Sequence, residues 1–160
     1  MVRRGERALE VHLDDRVPLG LGQALFTAIS IGCLLVVCRI VLSSLVERPA
    51  HELWWLATAA TTVGLWLEPV RDTLNFGQIN IVLMTLVVVD VLLGRGKWWN
   101  GLLVGLAISI KLTPAVFLLF FFVRRDWRAL GVAAASAVAY AALGHLLTPN
   151  DSRTYWTSTL

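Results

Sequence analysis

The chain has 160 residues, of which 57% are hydrophobic and 16% charged, with a mean hydropathy of +0.70. That balance is too apolar for an ordinary soluble domain and makes lipid the natural solvent for most of the chain. The formal charge of +3 comes from Arg and Lys at the ends of apolar runs, which suits cytoplasmic loops and anionic headgroups; no basic stripe with interleaved aromatics supports a nucleic-acid partner.

Residues 1–18 alternate Arg3, Arg4, Arg7 and Arg16 with Glu6, Glu10, Asp14 and Asp15 and lack the apolar core of a signal peptide. They read as a polar loop or interfacial helix. Residues 24–46 form the clearest span, 23 residues with Arg39 as their one charge, long enough for a hydrocarbon core of about 30 Å. Arg39 reads as a structural residue that snorkels. Cys33 and Cys38, five apart in this span, lie roughly 140° apart around a helix and read as membrane-embedded free thiols.

A turn at Glu47, Arg48, Pro49 and Ala50 leads to a second span, 53–67, with Trp54, Trp55 and Trp66 near its ends as in an aromatic belt. A third apolar run ends at Leu93, carries Asp90 one turn from its end, and is expected to extend back to Phe76. Asp90 is expected to neutralise Arg95 or Arg39. Residues 94–97, with Arg95 and Lys97, then close a basic loop.

The run 98–123 is 26 residues long. As one helix it would put Arg95 and Lys97 on one side of the membrane and Arg124, Arg125 and Arg128 on the other, against the positive-inside bias. Breaking it at Lys111, Leu112, Thr113 and Pro114 gives two half-spans, 98–111 and 114–123, and keeps both basic loops cytoplasmic. Pro114 supplies the break, since proline removes a helical hydrogen bond and disfavours helix at the preceding residue. The alternative is a proline-kinked single helix with Lys111 paired to a carboxylate. The span 127–147 is rich in Ala and Gly, which permit close helix approach. The polar stretch 148–160 follows as an extracytoplasmic loop.

The chemistry concentrates in two places. Lys111 is an ammonium within an apolar run, a placement that costs at least about 2.5 to 3.5 kcal/mol and usually marks a polar cavity or ligand path. Residues 68–80 read as a turn holding Glu68, Arg71, Asp72, Asn75, Gln78 and Asn80, and carboxylates with amides match the donors and acceptors of sugar hydroxyls. Two blander readings stand beside this one: Glu68 and Asp72 pairing with Arg71 on a solvated loop, and Gln78 and Asn80 bonding between helices. Gly77 permits a backbone turn that other residues resist. His51 and His145 have no companions at metal-ligand spacing, so neither metal nor cofactor is expected.

The segment from Glu68 to Gly77-Gln78-Ile79-Asn80, the later Lys111-Leu112-Thr113-Pro114, the Arg124-Arg125-Asp126-Trp127 loop and the closing Asp151 to Trp156 together resemble glycosyltransferase family 87. These are the polyprenol-phosphate-mannose-dependent α-(1,2)-mannosyltransferases of actinobacteria, notably mycobacteria. The resemblance implies an all-α, polytopic helix bundle of the plasma membrane, similar to type C glycosyltransferases, with five to six spans here and an extracytoplasmic active face. It implies transfer of mannose from polyprenyl-phosphate mannose to a mannosyl acceptor of the phosphatidylinositol mannoside or lipoarabinomannan class.

Under that resemblance the substrate-binding candidates are Lys111, Arg71, Glu68, Gln78 and Asn80, with Lys111 and Arg71 suited to a departing phosphate. The family's catalytic base is expected to be an Asp in a loop after a first span. No span precedes Asp14 or Asp15 here, so neither takes that role, and the base is expected to lie upstream. The chain therefore reads as a fragment truncated at both ends, inactive on its own. Two other classes fit parts of the sequence: a transporter or flippase segment in which Lys111 meets an anionic or lipid-linked substrate, and a small structural membrane subunit.

Overall fold

The computed structural model describes residues 19–147, so the polar stretch 1–18, with Asp14 and Asp15, and the loop 148–160 lie outside the described residues. Within them the chain is built of helices joined by short turns. Helix α1 spans Leu19–Leu45, 27 residues, or about 40 Å at 1.5 Å per residue. Helix α2, Ala50–Gly64, follows Pro49, whose φ of −54° already suits a helix start. It packs back on α1 through a face marked by buried Leu53, Ala57 and Thr61. Both helices begin a few residues earlier than the apolar runs predicted from hydropathy.

The polar stretch after Leu67 is not simply a turn. Residues Glu68–Asn75 form helix α3, with Pro69 in its first turn and Glu68 at its start. Both choices favour initiation: proline occupies a position whose N–H has no helical partner, and an anion suits the positive end of the helix dipole. Helix α4, Asn80–Val88, continues through a π-helical turn at Val89–Leu93. It does not reach back to Phe76, because Gly77 adopts φ +60° and turns the chain. The axes of α3 and of Asn80–Leu93 meet at 119°.

Helix α5 is Leu102–Ile110. Lys111 is extended, with φ −149° and ψ 134°, and a single 3₁₀ turn, Thr113–Ala115, leads into α6, Val116–Val123. Helix α7 is Trp127–Leu147. Asn100, two residues before α5, meets Asp126, the residue before α7: Asn100 Nδ2 donates to Asp126 Oδ2 at 3.3 Å. With α5 and α6 both packed against α7, the backbone reverses direction at Lys111 and returns to the level at which it started.

Close approach makes that arrangement possible. A Cβ on Gly105 would run into Ser136 and the Ala133 and Ala137 backbone, and one on Gly101, at φ +101°, into the backbone of Ala129. The small residues of α7 thus face the small residues of α5, as expected for helices packing where apolar burial gives little drive. The buried cluster Leu83, Val87, Val104, Ala107, Phe121, Ala129 and Ala133 joins α4, α5, α6 and α7.

Two helices are individually long and apolar enough to cross a membrane, Gly20–Leu45 and Trp127–Leu146, and the bent pair of α3 with Asn80–Leu93 would be a third if it counts as one span. Helix α2 has 15 residues, about 22 Å of rise. Helices α5 and α6 are shorter still.

Candidate functional site

Helices α4 and α5 run antiparallel, and each end of the pair carries a polar contact. At one end Asp90, fully buried, accepts hydrogen bonds from the N–H groups of Gly101 at 2.7 Å and Val104 at 2.8 Å. These are N–H groups that the start of α5 cannot satisfy internally. Asp90 is therefore a cap for α5; it neutralises neither Arg95 nor Arg39, contrary to the expectation from sequence. Its carboxylate lies eleven residues before Gly101, a separation that gave no local signal of capping.

At the other end the Lys111 ammonium donates to Asn80 Oδ1 at 2.9 Å, and Asn80 Nδ2 donates to Gln78 Oε1 at 2.6 Å. The first contact fixes the orientation of the Asn80 amide, with its oxygen towards the cation. Three of the five candidate substrate-binding residues thus form one hydrogen-bonded chain, whose Asn80–Lys111 link joins residues 31 apart in sequence. Lys111 is brought there by its own backbone: it ends α5, its N–H still bonds the Ala107 carbonyl at 3.0 Å, and its extended conformation turns the chain out of helix. No carboxylate lies within 4 Å of Lys111 among the described residues, so its partner is a neutral amide and its charge is uncompensated. The carboxylate pairing considered for a kinked helix is absent.

Beside this chain lies a groove of about 360 Å³, walled by Leu83, Met84 and Val87 of α4 and by Pro114, Val116 and Phe117 beyond the break, with Asn80 and Lys111 among its lining residues. An unpaired cation on the edge of an apolar groove suits an amphiphile with an anionic head. Met84 and Phe117 join the candidate residues only through the fold, since their apolar surroundings in sequence resemble any other stretch of a span.

The remaining candidates, Glu68 and Arg71, lie elsewhere. They line a second cleft, of about 430 Å³, with Trp66, Asp72 and Asn75. Arg71 forms no ion pair with Glu68 or Asp72 within 4 Å, so mutual neutralisation does not account for the cluster. Arg39 is half-buried; its guanidinium lies 5.6 Å from the centre of the Trp54 ring and its Nε has no hydrogen-bond partner, a cation–π contact within the α1–α2 pair. Cys33 and Cys38 are free thiols. Among the described residues no group of three or more His, Cys, Asp or Glu is placed to hold a metal ion.

Residues 15–160 match the sequence profile of Glycosyltransferase family 87. The chain is 49% identical over 120 residues, 74% of its length, to a polyprenol-phosphate-mannose-dependent α-(1-2)-phosphatidylinositol mannoside mannosyltransferase of Mycobacterium tuberculosis, covering 28% of that protein. It is 44% identical over 152 residues, 89% of its length, to the protein of the same description from Mycolicibacterium smegmatis, covering 34% of it. A polyprenol-phosphate-mannose-dependent α-(1-2)-phosphatidylinositol pentamannoside mannosyltransferase of Mycolicibacterium smegmatis is 40% identical over 115 residues, 71% of this chain and 26% of that protein. No solved structure matches the chain significantly. The chain thus spans about a third or less of the length of these curated relatives. With nearly its whole sequence matched by the family profile, and with relatives of 49% and 44% identity over 74% and 89% of it, the chain belongs to glycosyltransferase family 87.

Proposed function

We propose that this chain is the donor-holding part of a membrane mannosyltransferase. The enzyme moves mannose from polyprenyl-phosphate mannose to a mannosyl acceptor of the phosphatidylinositol mannoside or lipoarabinomannan class, in α-(1,2) linkage, on the extracytoplasmic face of the cell membrane. The observation that carries the reading is the Lys111 ammonium, held by Asn80 and unopposed by any carboxylate, beside an apolar groove.

In the transfer, the acceptor hydroxyl oxygen forms a bond to the anomeric carbon while the bond from that carbon to the phosphate oxygen breaks. The electron pair leaves with the polyprenyl phosphate, and the hydroxyl proton passes to a base that is not assigned among the described residues. Negative charge grows on the departing phosphate. Lys111 stabilises it by a charge-assisted hydrogen bond, and such contacts contribute about 1.5 to 3 kcal/mol. Asn80 and Gln78 orient the ammonium: the amide oxygen fixes one of its N–H donors and leaves the other two for phosphate oxygens.

The test is reconstitution of the intact protein with polyprenyl-phosphate mannose and an alkyl mannoside acceptor. Mannosyl transfer from the lipid-linked donor, with none from GDP-mannose, is expected. Transfer directly from GDP-mannose would overturn the carrier assignment, and movement of lipid-linked sugar across vesicles without transfer would select a flippase instead.

A further inference from the structure

The second cleft has a construction that the donor site does not use. Glu68, Arg71, Asp72 and Asn75 follow one another on α3 at intervals of three, one and three residues, which puts all four on one face of the helix. The opposite face turns inward, with Thr73 buried and Val70 and Leu74 half-buried. Helix α3 is therefore amphipathic, and its 119° angle to Asn80–Leu93 lays it across the direction of that helix, the placement of an interfacial helix beside a span. Its polar face opens into the cleft of about 430 Å³ together with Trp66, whose side chain is 76% exposed.

Arg71 forms no ion pair with Glu68, three residues before it, or with its neighbour Asp72. The guanidinium, both carboxylates and the Asn75 amide remain available. Two carboxylates against one guanidinium give the cleft a net negative charge, which disfavours a phosphate and leaves a neutral polyol as the fitting ligand. Hydroxyl groups both donate and accept, so carboxylates, amide and guanidinium each find a partner on them, and the exposed indole offers a flat apolar face with a polar N–H edge. The cleft volume also falls in the range of small-molecule sites, roughly 300 to 1,000 Å³.

We propose that the polar face of α3, with Trp66, is a carbohydrate subsite that holds the mannosyl acceptor, separate from the phosphate-binding Lys111 chain. This rests on the transferase reading above for the identity of the sugar. It divides the polar residues of 68–80 between two substrates: Glu68, Arg71, Asp72 and Asn75 for the acceptor, Gln78 and Asn80 for the donor.

The test uses the intact protein, an alkyl α-mannoside as acceptor and polyprenyl-phosphate mannose as donor. Trp66→Ala and Asp72→Asn should each raise the acceptor KM by about tenfold, the loss of one good contact, with the donor KM unchanged. Trp66→Phe should recover most of the acceptor affinity, which a merely destabilised fold would not do. Direct binding of radiolabelled alkyl α-mannoside to the purified protein separates this proposal from the donor reading: Trp66-dependent binding without lipid-linked transfer would uphold the subsite while the donor assignment falls. An unchanged acceptor KM in both variants, an equal rise in the donor KM, or no binding of the mannoside to the unsubstituted protein would overturn the subsite.

Discussion

Asn100 and Asp126 are hydrogen-bonded at 3.3 Å although the whole of α5, the Lys111 break and α6 lie between them. The contact sets the basic loop at Arg95 and Lys97 beside the one at Arg124 and Arg125. In a chain with Cys33 and Cys38 replaced by Ala, single cysteines at Lys97 and Arg124 should therefore react with a membrane-impermeant thiol reagent from the same side, and one at Leu112 from the other. Labelling of the Lys97 and Arg124 positions from opposite sides would mean that the segment crosses the membrane once.

Asp90 satisfies two N–H groups at the start of α5 from a fully buried position. Asp90→Ala leaves both donors without an acceptor, at about 1 to 3 kcal/mol each, so a loss of about 2 to 6 kcal/mol is expected. Asp90→Asn retains one acceptor oxygen and should fall between. Thermal unfolding of the detergent-solubilised protein measures the difference, and an Ala variant as stable as the original would refute the capping role.

Gly105 lies where α5 and α7 approach closely, with the Ala133 carbonyl 2.6 Å and the Ala137 nitrogen 2.8 Å from the place a Cβ would occupy. Backbone cannot rotate away as a side chain can. Gly105→Ala should force the helices apart at a cost of about 1 to 3 kcal/mol, and adding Ser136→Ala should restore little, because the Ala133 and Ala137 backbone remains. Full rescue by the second change would show that the Ser136 hydroxyl alone set the limit.

Lys111→Met keeps the bulk of the side chain and removes its charge. Loss of one charge-assisted phosphate contact should lower donor affinity or turnover by about ten- to a hundredfold, and Lys111→Arg should recover only part, because a planar guanidinium does not reproduce the ammonium geometry at Asn80. Donor titration of the intact protein reads both. A Met variant that is more stable and equally active would mean that a cation without a ligand had been removed, and the donor site would fall with it.

Asn80→Ala separates positioning from contact. The ammonium would keep its charge and lose the amide that fixes one donor. The donor KM should rise by about five- to tenfold, about 1 to 1.4 kcal/mol, less than for Lys111→Met, since the ammonium keeps its charge and loses only the contact that positions it. An effect larger than that of Lys111→Met would show that Asn80 itself carries the substrate contact.

Composition and hydropathy were sufficient to identify a helical chain for lipid, because the period and length of apolar runs record the solvent directly. Pro114 identified the place where the helix ends, because a missing N–H acts within one turn of chain. The resemblance of short motifs pointed to the family. What stayed hidden depended on residues far apart in sequence. Asp90 looked like a counter-ion until Gly101 and Val104 were brought to it; for Asn80, a bond between helices was one of two readings, and only the fold shows that its partner is Lys111, 31 residues away. The bend of 119° between α3 and Asn80–Leu93, which parts Glu68 and Arg71 from Gln78 and Asn80, was hidden too: Gly77 marks a turn but not its angle. Local propensity acts through neighbours along the chain, whereas the cap at Asp90 and the groove at Lys111 are each assembled from separate helices, so only tertiary packing decides which polar groups meet there.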